Sequence, residues 1–226
     1  MINFMARIAR IVVPGYPHHV TQRGNRRQQT FFNDGDYQTY IDLTSHWCRQ
    51  HGVDIWGYCL MPNHVHLIVV PSDPDGLRHA IGEAHRRYTR RVNFCRGWRG
   101  HLWQGRFCSC VMQQTHLLAC IRYIEMNPVR AKVVQDPEEW PWSSARAHIS
   151  GHQDGFIDSG VLLGMVSEDW KSFLLKAVDP NTVKALQKHE RTGRPIGDKS
   201  FIAEMEKMTG RQLKFRKPGP KPKAQN

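Results

Sequence analysis

His64-Val65-His66 stands at the start of an apolar run, HVHLIVV (64–70). In an extended strand, residues two apart point the same way, so the two imidazoles share one face while Val65, Leu67 and Val69 occupy the other. Paired imidazoles beside a core need partners for their nitrogens, and a divalent metal ion supplies them directly. The competing account is two half-exposed histidines at a strand start. His18 and His19 are adjacent, face opposite sides of an extended chain and make a poor pair by the same rule.

A metal site needs something to act beside it. Around a helix over about 115–127, at roughly 100° per residue, Leu117, Ile121 and Ile124 form the core stripe. His116, Tyr123 and Asn127 share a neighbouring face, with Tyr123 and Asn127 one turn apart. A phenol with its ordinary pKa of about 10 is a weak nucleophile and needs an electrophile polarised by a metal and positive charge. Of the six tyrosines, Tyr37, Tyr40 and Tyr88 fall on buried helical stripes, Tyr58 inside a strand and Tyr16 in a turn. Tyr123 is the one on a polar, basic helix face, where a hydrogen-bonded boundary residue is the alternative reading.

The elements that must hold these residues follow from periodicity. A first strand covers HHVTQR (18–23). A helix capped by Asn33 or Asp34 runs over roughly 36–51, and Gly52 ends it. VDIWGYCL (53–60) and HVHLIVV form an antiparallel hairpin around the MPN turn. A second helix spans about 77–93, with Leu77, Ile81, Ala84, Tyr88 and Val92 inward and Arg86, Arg87 and Arg90 outward. RFCSCVM (106–112) is a further strand. Thr115 then caps the third helix, which stops at Asn127 because Pro128 disfavours helical backbone before it. The order β-α-β-β-α-β-α predicts an α+β fold: a ferredoxin-like antiparallel sheet with helices on its faces. Beyond WPWSS (140–144) the pattern weakens to short amphipathic helices over 166–189 and 198–209, a small helical C-terminal extension. The chain thus divides into a main domain over 1–150, a helical accessory region over 151–212 and a disordered basic tail over 213–226.

Charge indicates the partner. The 226 residues carry a formal net charge of +12, with a sequence pI near 9.7, which points to a polyanion. Up to Ala131 there are 16 Arg, no Lys and 8 acidic residues, and both 1–33 and 84–124 lack acids altogether. Arg forks onto phosphate and stacks on bases, whereas Lys is a point charge. Candidate nucleic-acid contacts are Arg23, Arg26 and Arg27 in the loop after the first strand, Arg86, Arg87 and Arg90 on the second helix, and Arg106, with the accessory region over 151–212 as a further one. Trp98, Trp103 and Phe107 interleave with Arg96, Arg99 and Arg106 in a pattern suited to base stacking. Mean hydropathy is −0.56, and no apolar run reaches the roughly 18–20 residues of a membrane span. With no export signal and no CxxC among the six cysteines, a cytoplasmic protein with reduced thiols is expected.

MPNHVHLIVV (61–70), then RYIEMNPVRA (122–131), together with IVVPGYPHHVTQRGNRRQ (11–28), resembles the single-tyrosine HUH transposases, in particular the REP-associated tyrosine transposase branch. The resemblance covers about residues 5–150, and TGRPIG (192–197) adds to it. It implies that His64 and His66 bind Mg²⁺ or Mn²⁺, that Tyr123 is the nucleophile and that Asn127 is the third ligand. The superfamily places a Gln, Asn, Glu or His at that position. It implies a metal-dependent enzyme that cleaves and rejoins single-stranded DNA beside hairpins through a 5′-phosphotyrosine, as a monomer or homodimer near the bacterial nucleoid. Rival readings are a hairpin DNA- or RNA-binding regulator without activity, and a phosphoesterase that uses water and forms no adduct.

Overall fold

The structure is a computed structural model that describes residues 9–152 and 154–214; most of the basic tail expected over 213–226 lies outside the described residues. The elements come in the expected order. Strand β1 (His18–Arg23) is followed by α1 (Asp34–Gln50), the hairpin β2 (Val53–Met61) and β3 (His64–Pro71), α2 (Gly76–Arg96), β4 (Cys108–Val111) and α3 (Gln114–Glu125). The four strands form one antiparallel sheet in the order β2-β3-β1-β4, so the fold is α+β with the ferredoxin-like arrangement. β1 and β3 are the central neighbours, with Thr21 opposite His66 and His19 opposite Ile68.

Side-chain alternation sorts the two faces. Val20, Val65, Leu67 and Val69 bury against α1 and α2, joined by Tyr37, Tyr40, Ile81 and Tyr88. Each buried aliphatic side chain there contributes on the order of 1.5–3 kcal/mol. On the opposite face Ile68, Cys59 and Met112 meet Leu117, Ile121 and Ile124 of α3. β2 bulges between Ile55 and Gly57, where a Cβ on residue 57 would collide with Ile121; glycine lets α3 lie close against the strand.

The ends of the helices refine the sequence reading. Asn33 caps α1, its side chain accepting from the Asp36 amide at 3.0 Å. Thr115 does not cap α3. The N-cap is Gln113, whose side chain instead exchanges two 2.9 Å hydrogen bonds with Asp198. Asp198 is itself the N-cap of α9 (Lys199–Thr209). Nor does Pro128 simply follow the last helical residue. α3 ends at Glu125, and Pro128 sits in the first turn of a separate short helix, α4 (Asn127–Arg130), where its missing N–H costs nothing.

The chain continues through α5 (Ala145–Ser150), α6 (Gly160–Leu163), α7 (Trp170–Leu175) and α8 (Pro180–Thr192). Leu162, Trp170, Phe173, Leu174 and Leu186 of these helices share one apolar cluster with α3 and the sheet. The α3–α7 junction also holds a buried carboxylate. Glu125 is fully buried and accepts from Ser144 Oγ (2.5 Å), His148 Nδ1 (2.6 Å) and Trp170 Nε1 (2.7 Å). Among the described residues no helix is long and apolar enough to cross a membrane.

Candidate active site

A cavity of about 560 Å³ opens over the α3 face of the sheet, lined by His64, His66, Tyr123, Arg23, Arg27 and, from α8, Gln187, Glu190 and Arg191. β3 presents the two histidines on one side, as their spacing requires, with ring centroids 5.0 Å apart. α3 brings the Tyr123 ring to 6.2 Å from that of His66, edge to face. Residues distant in sequence therefore meet because α3 packs on the face that carries His64 and His66.

Asn63 sets the orientation of His64. Its Oδ1 lies 2.6 Å from His64 Nδ1 and its Nδ2 donates to the Arg27 carbonyl at 3.1 Å. A carbonyl oxygen only accepts, so His64 carries its proton on Nδ1 and its lone pair on Nε2. Nε2 lies 3.3 Å from Asn127 Nδ2. Asn127 Oδ1 meanwhile accepts from Arg130 at 2.9 Å. The expected third ligand is thus beside His64, but it turns its NH₂ toward the imidazole. Presenting the oxygen to a metal requires rotation of the amide and loss of the Arg130 bond.

Two residues enter that the sequence reading did not include. His19 does not pair with His18, yet it lies diagonally across from His66 on the neighbouring strand. The two rings stack at 5.2 Å and share a 2.9 Å hydrogen bond between His19 Nε2 and His66 Nδ1. Alternation with buried Val20 was the available signal: it puts His19 and Thr21 on the same face as His66 once β1 and β3 are neighbours. Glu190 arrives from α8, with Oε1 4.0 Å from Nδ1 of both His19 and His66. Nothing local in the sequence marks it.

Burial dominates the electrostatics. It holds His19 down to about 3, and burial followed by Arg23 holds His64 down to about 4. His66 lies well below the ordinary value through burial and then the neighbouring imidazoles. All three rings are neutral at pH 7 and offer lone pairs. Burial pushes the Glu190 carboxyl up to about 7 against the pull of Arg23, Arg130 and Arg191. The Tyr123 phenol is also raised, by burial and then by Glu190, while a Gln187 hydrogen bond and Arg130 pull the other way. The Arg130 guanidinium stacks on the Tyr123 ring at 3.9 Å. These donors fit a divalent cation: neutral imidazoles, a carboxylate, and two buried atoms, His19 Nδ1 and Glu190 Oε1, without hydrogen-bond partners.

Of the candidate DNA-contacting arginines, Arg23 and Arg27 line the cavity. Arg26 and Arg27 both take left-handed backbone, φ +52° and +62°, a conformation that costs a non-glycine residue about 1 kcal/mol or more and tends to collect at functional loops. Arg26 faces a neighbouring groove with Trp98 and Arg99. Arg86 and Arg87 pair with Glu83 on their own helix, Arg90 is exposed, and Arg106 lines a small cleft beside Arg10; these four do not line the main cavity. The expected stacking platform is reduced to one ring. Trp103 and Phe107 belong to the apolar core, and Trp98 is 41% exposed.

A model of IS200-like transposases matches residues 13–127, just over half of the 226 residues. This chain belongs to the IS200-like transposase family. A protein of Haemophilus influenzae named as a REP-associated tyrosine transposase is 27% identical over 108 residues, 43% of this chain; the chain spans 61% of that relative's length. Among solved structures, that of a REP-associated tyrosine transposase bound to a REP hairpin is similar at a TM-score of 0.53 and 22% identity, over 68% of this chain and 92% of that one. A further similar structure, a transposase from Deinococcus radiodurans R1, gives 0.37 and 20% identity over 57% and 93%.

Proposed function

We propose that this member of the family is a metal-dependent endonuclease and transposase that cleaves and rejoins single-stranded DNA beside a hairpin through a 5′-phosphotyrosine on Tyr123. The observation that carries this reading is the meeting of Tyr123 with the His64–His66 pair in one cavity edged by Arg23 and Arg27. The solved fold relative bound to a REP hairpin supports a hairpin as the DNA feature recognised.

His64 and His66, with Asn127 after amide rotation, would hold Mg²⁺ or Mn²⁺. Such an ion, when bound, supplies Lewis-acid polarisation of the scissile phosphate. Arg23 and Arg27 orient the phosphate backbone across the cavity. Tyr123 Oη attacks phosphorus in line. The phenol loses its proton as the O–P bond forms, and the departing 3′ oxygen takes one up to leave a free 3′-hydroxyl. Arg130, stacked on the ring, favours the phenolate that develops. The phosphotyrosine retains the energy of the phosphodiester, so attack by a second 3′-hydroxyl restores the phenol and rejoins the strands.

The deciding experiment uses 3′-end-labelled single-stranded hairpins incubated with protein and Mn²⁺, followed by denaturing electrophoresis. Label retained on the protein, and lost in Tyr123→Phe with DNA binding intact, supports the reading. Cleavage without adduct indicates water as nucleophile. Binding without cleavage by the wild type indicates a hairpin-binding regulator.

A further inference from the structure

We propose that Glu190 completes the cation seat together with His19 and His66, so that a divalent ion ties helix α8 to the central strands β1 and β3. The proposal rests on the reading of His66 as a cation ligand and extends it to two residues outside the motif.

Distances make the first argument. One nitrogen from each imidazole and one Glu190 oxygen lie within 4.8 Å of one another. His19 Nε2 and His66 Nδ1 are 2.9 Å apart, and Glu190 Oε1 stands 4.0 Å from Nδ1 of each ring; an ion seated here replaces the hydrogen bond between the two rings, whose lone pairs then both point to it. A gap of 4.0 Å is too long for a hydrogen bond. It matches an intervening ion, because ligand atoms around one ion with bonds of about 2.1 Å lie up to about 4.2 Å apart.

The second argument is the cost of the arrangement without an ion. His19 is 1% exposed, and its Nδ1 and the Glu190 Oε1 are both buried without a hydrogen-bond partner. Two facing polar atoms left unpaired each cost roughly 1–3 kcal/mol, and one cation between them would satisfy both. The third argument is the state of the alternative ligand. Asn127 has its oxygen engaged by Arg130 and its NH₂ turned to His64, whereas the Glu190 oxygen is unengaged and is the harder donor for such a cation.

The placement has a consequence for the C-terminal helices. Gln187 lies one turn before Glu190 on α8 and reaches Tyr123. An ion held by Glu190 would fix the segment that positions Gln187 at the nucleophile. Lys184 and Lys188 of the same helix are exposed, so trypsin reports whether α8 is seated.

The test is Mn²⁺ binding by electron paramagnetic resonance on the full chain, with no DNA present. Glu190→Gln should weaken binding at least tenfold and Glu190→Asp should restore part of it. Mn²⁺ should raise Tm and slow tryptic cleavage in the wild type but not in Glu190→Gln. The metal-free Tm of Glu190→Gln should equal or exceed that of the wild type, because the variant removes an unpaired buried carboxylate; that reading also shows that it folds. Glu190→Gln binding Mn²⁺ within twofold of wild type, while His66→Ala does not bind, would overturn the proposal and leave the nuclease reading standing. A wild-type protein that binds no Mn²⁺ overturns the seat and the metal dependence together, and adduct formation on Tyr123 then tests the nucleophile alone.

Discussion

Replacing Glu125 should destabilise the protein more than any change at the cavity, although Glu125 touches no candidate ligand. Its carboxylate is wholly buried and accepts three hydrogen bonds, from Ser144, His148 and Trp170. Those donors come from the start of α5, from α5 itself and from α7, so one side chain joins the end of α3 to two later elements. Glu125→Ala leaves His148 and Trp170 as buried donors without an acceptor, removes the bulk of a buried side chain, and leaves Ser144 only its longer 3.2 Å contact with the Tyr58 carbonyl. At about 1–3 kcal/mol each, and allowing for relaxation and some water entry, the expected loss is about 4–5 kcal/mol. For a chain of this size that corresponds to a fall in Tm of about 8–20 °C. Glu125→Gln keeps the volume but turns an NH₂ toward one of the donors, so about 2–3 kcal/mol is expected. Urea unfolding followed by tryptophan fluorescence measures both variants, and Trp170 is itself a reporter. A Glu125→Gln loss below 0.5 kcal/mol (less than about half of one ordinary hydrogen bond) would refute the claim that this network holds α3 in place. Because Tyr123 is two residues away, adduct formation should fall in Glu125→Gln with little change in DNA affinity.

Buried imidazoles make stability depend on pH. Burial lowers His18 to about 4 and His85 to about 3 in the folded chain, so below about 6.5 the unfolded chain binds more protons and stability falls with pH. Each should cost about 1.5–2 kcal/mol between pH 7 and 5, and His85→Gln should reduce the drop in urea midpoint by its share; an unchanged drop would contradict its neutral burial. Arg27→Ala and Arg23→Ala should each weaken binding to hairpins of unrelated sequence and reduce the slope of log K against log salt by about one, read by fluorescence anisotropy. Arg90→Ala, outside the cavity, should leave cleavage unchanged, and a loss of cleavage there would relocate the DNA path.

The chemistry-bearing pair, the helix that faces it and the order of elements were legible in the chain because they rest on local periodicity. Two residues apart on a strand means one face, and three or four apart on a helix means one stripe. That rule put His64 with His66, Val65 with Leu67, and Leu117 with Ile121 and Ile124. It failed where geometry at a chain end is set by distant partners. Thr115 has the right side chain to cap α3, but Gln113 binds Asp198 and fixes the start two residues earlier. It also failed for Trp103 and Phe107, which alternate with arginines in sequence yet pack into the core beside α1 and α2.

What the sequence determined by itself is therefore the α+β order, the basic character and which side chains are candidates for the chemistry. Only the tertiary structure decided their company. His19 reaches His66 because β1 and β3 are adjacent in the sheet, and no one-strand argument contains that pairing. Glu190 reaches both because α8 lies over the same face, and Glu125 is a buried junction rather than one of twenty scattered acids. The physical reason is the same throughout: covalent periodicity fixes which way a side chain points, while desolvation and long-range packing fix what it meets there.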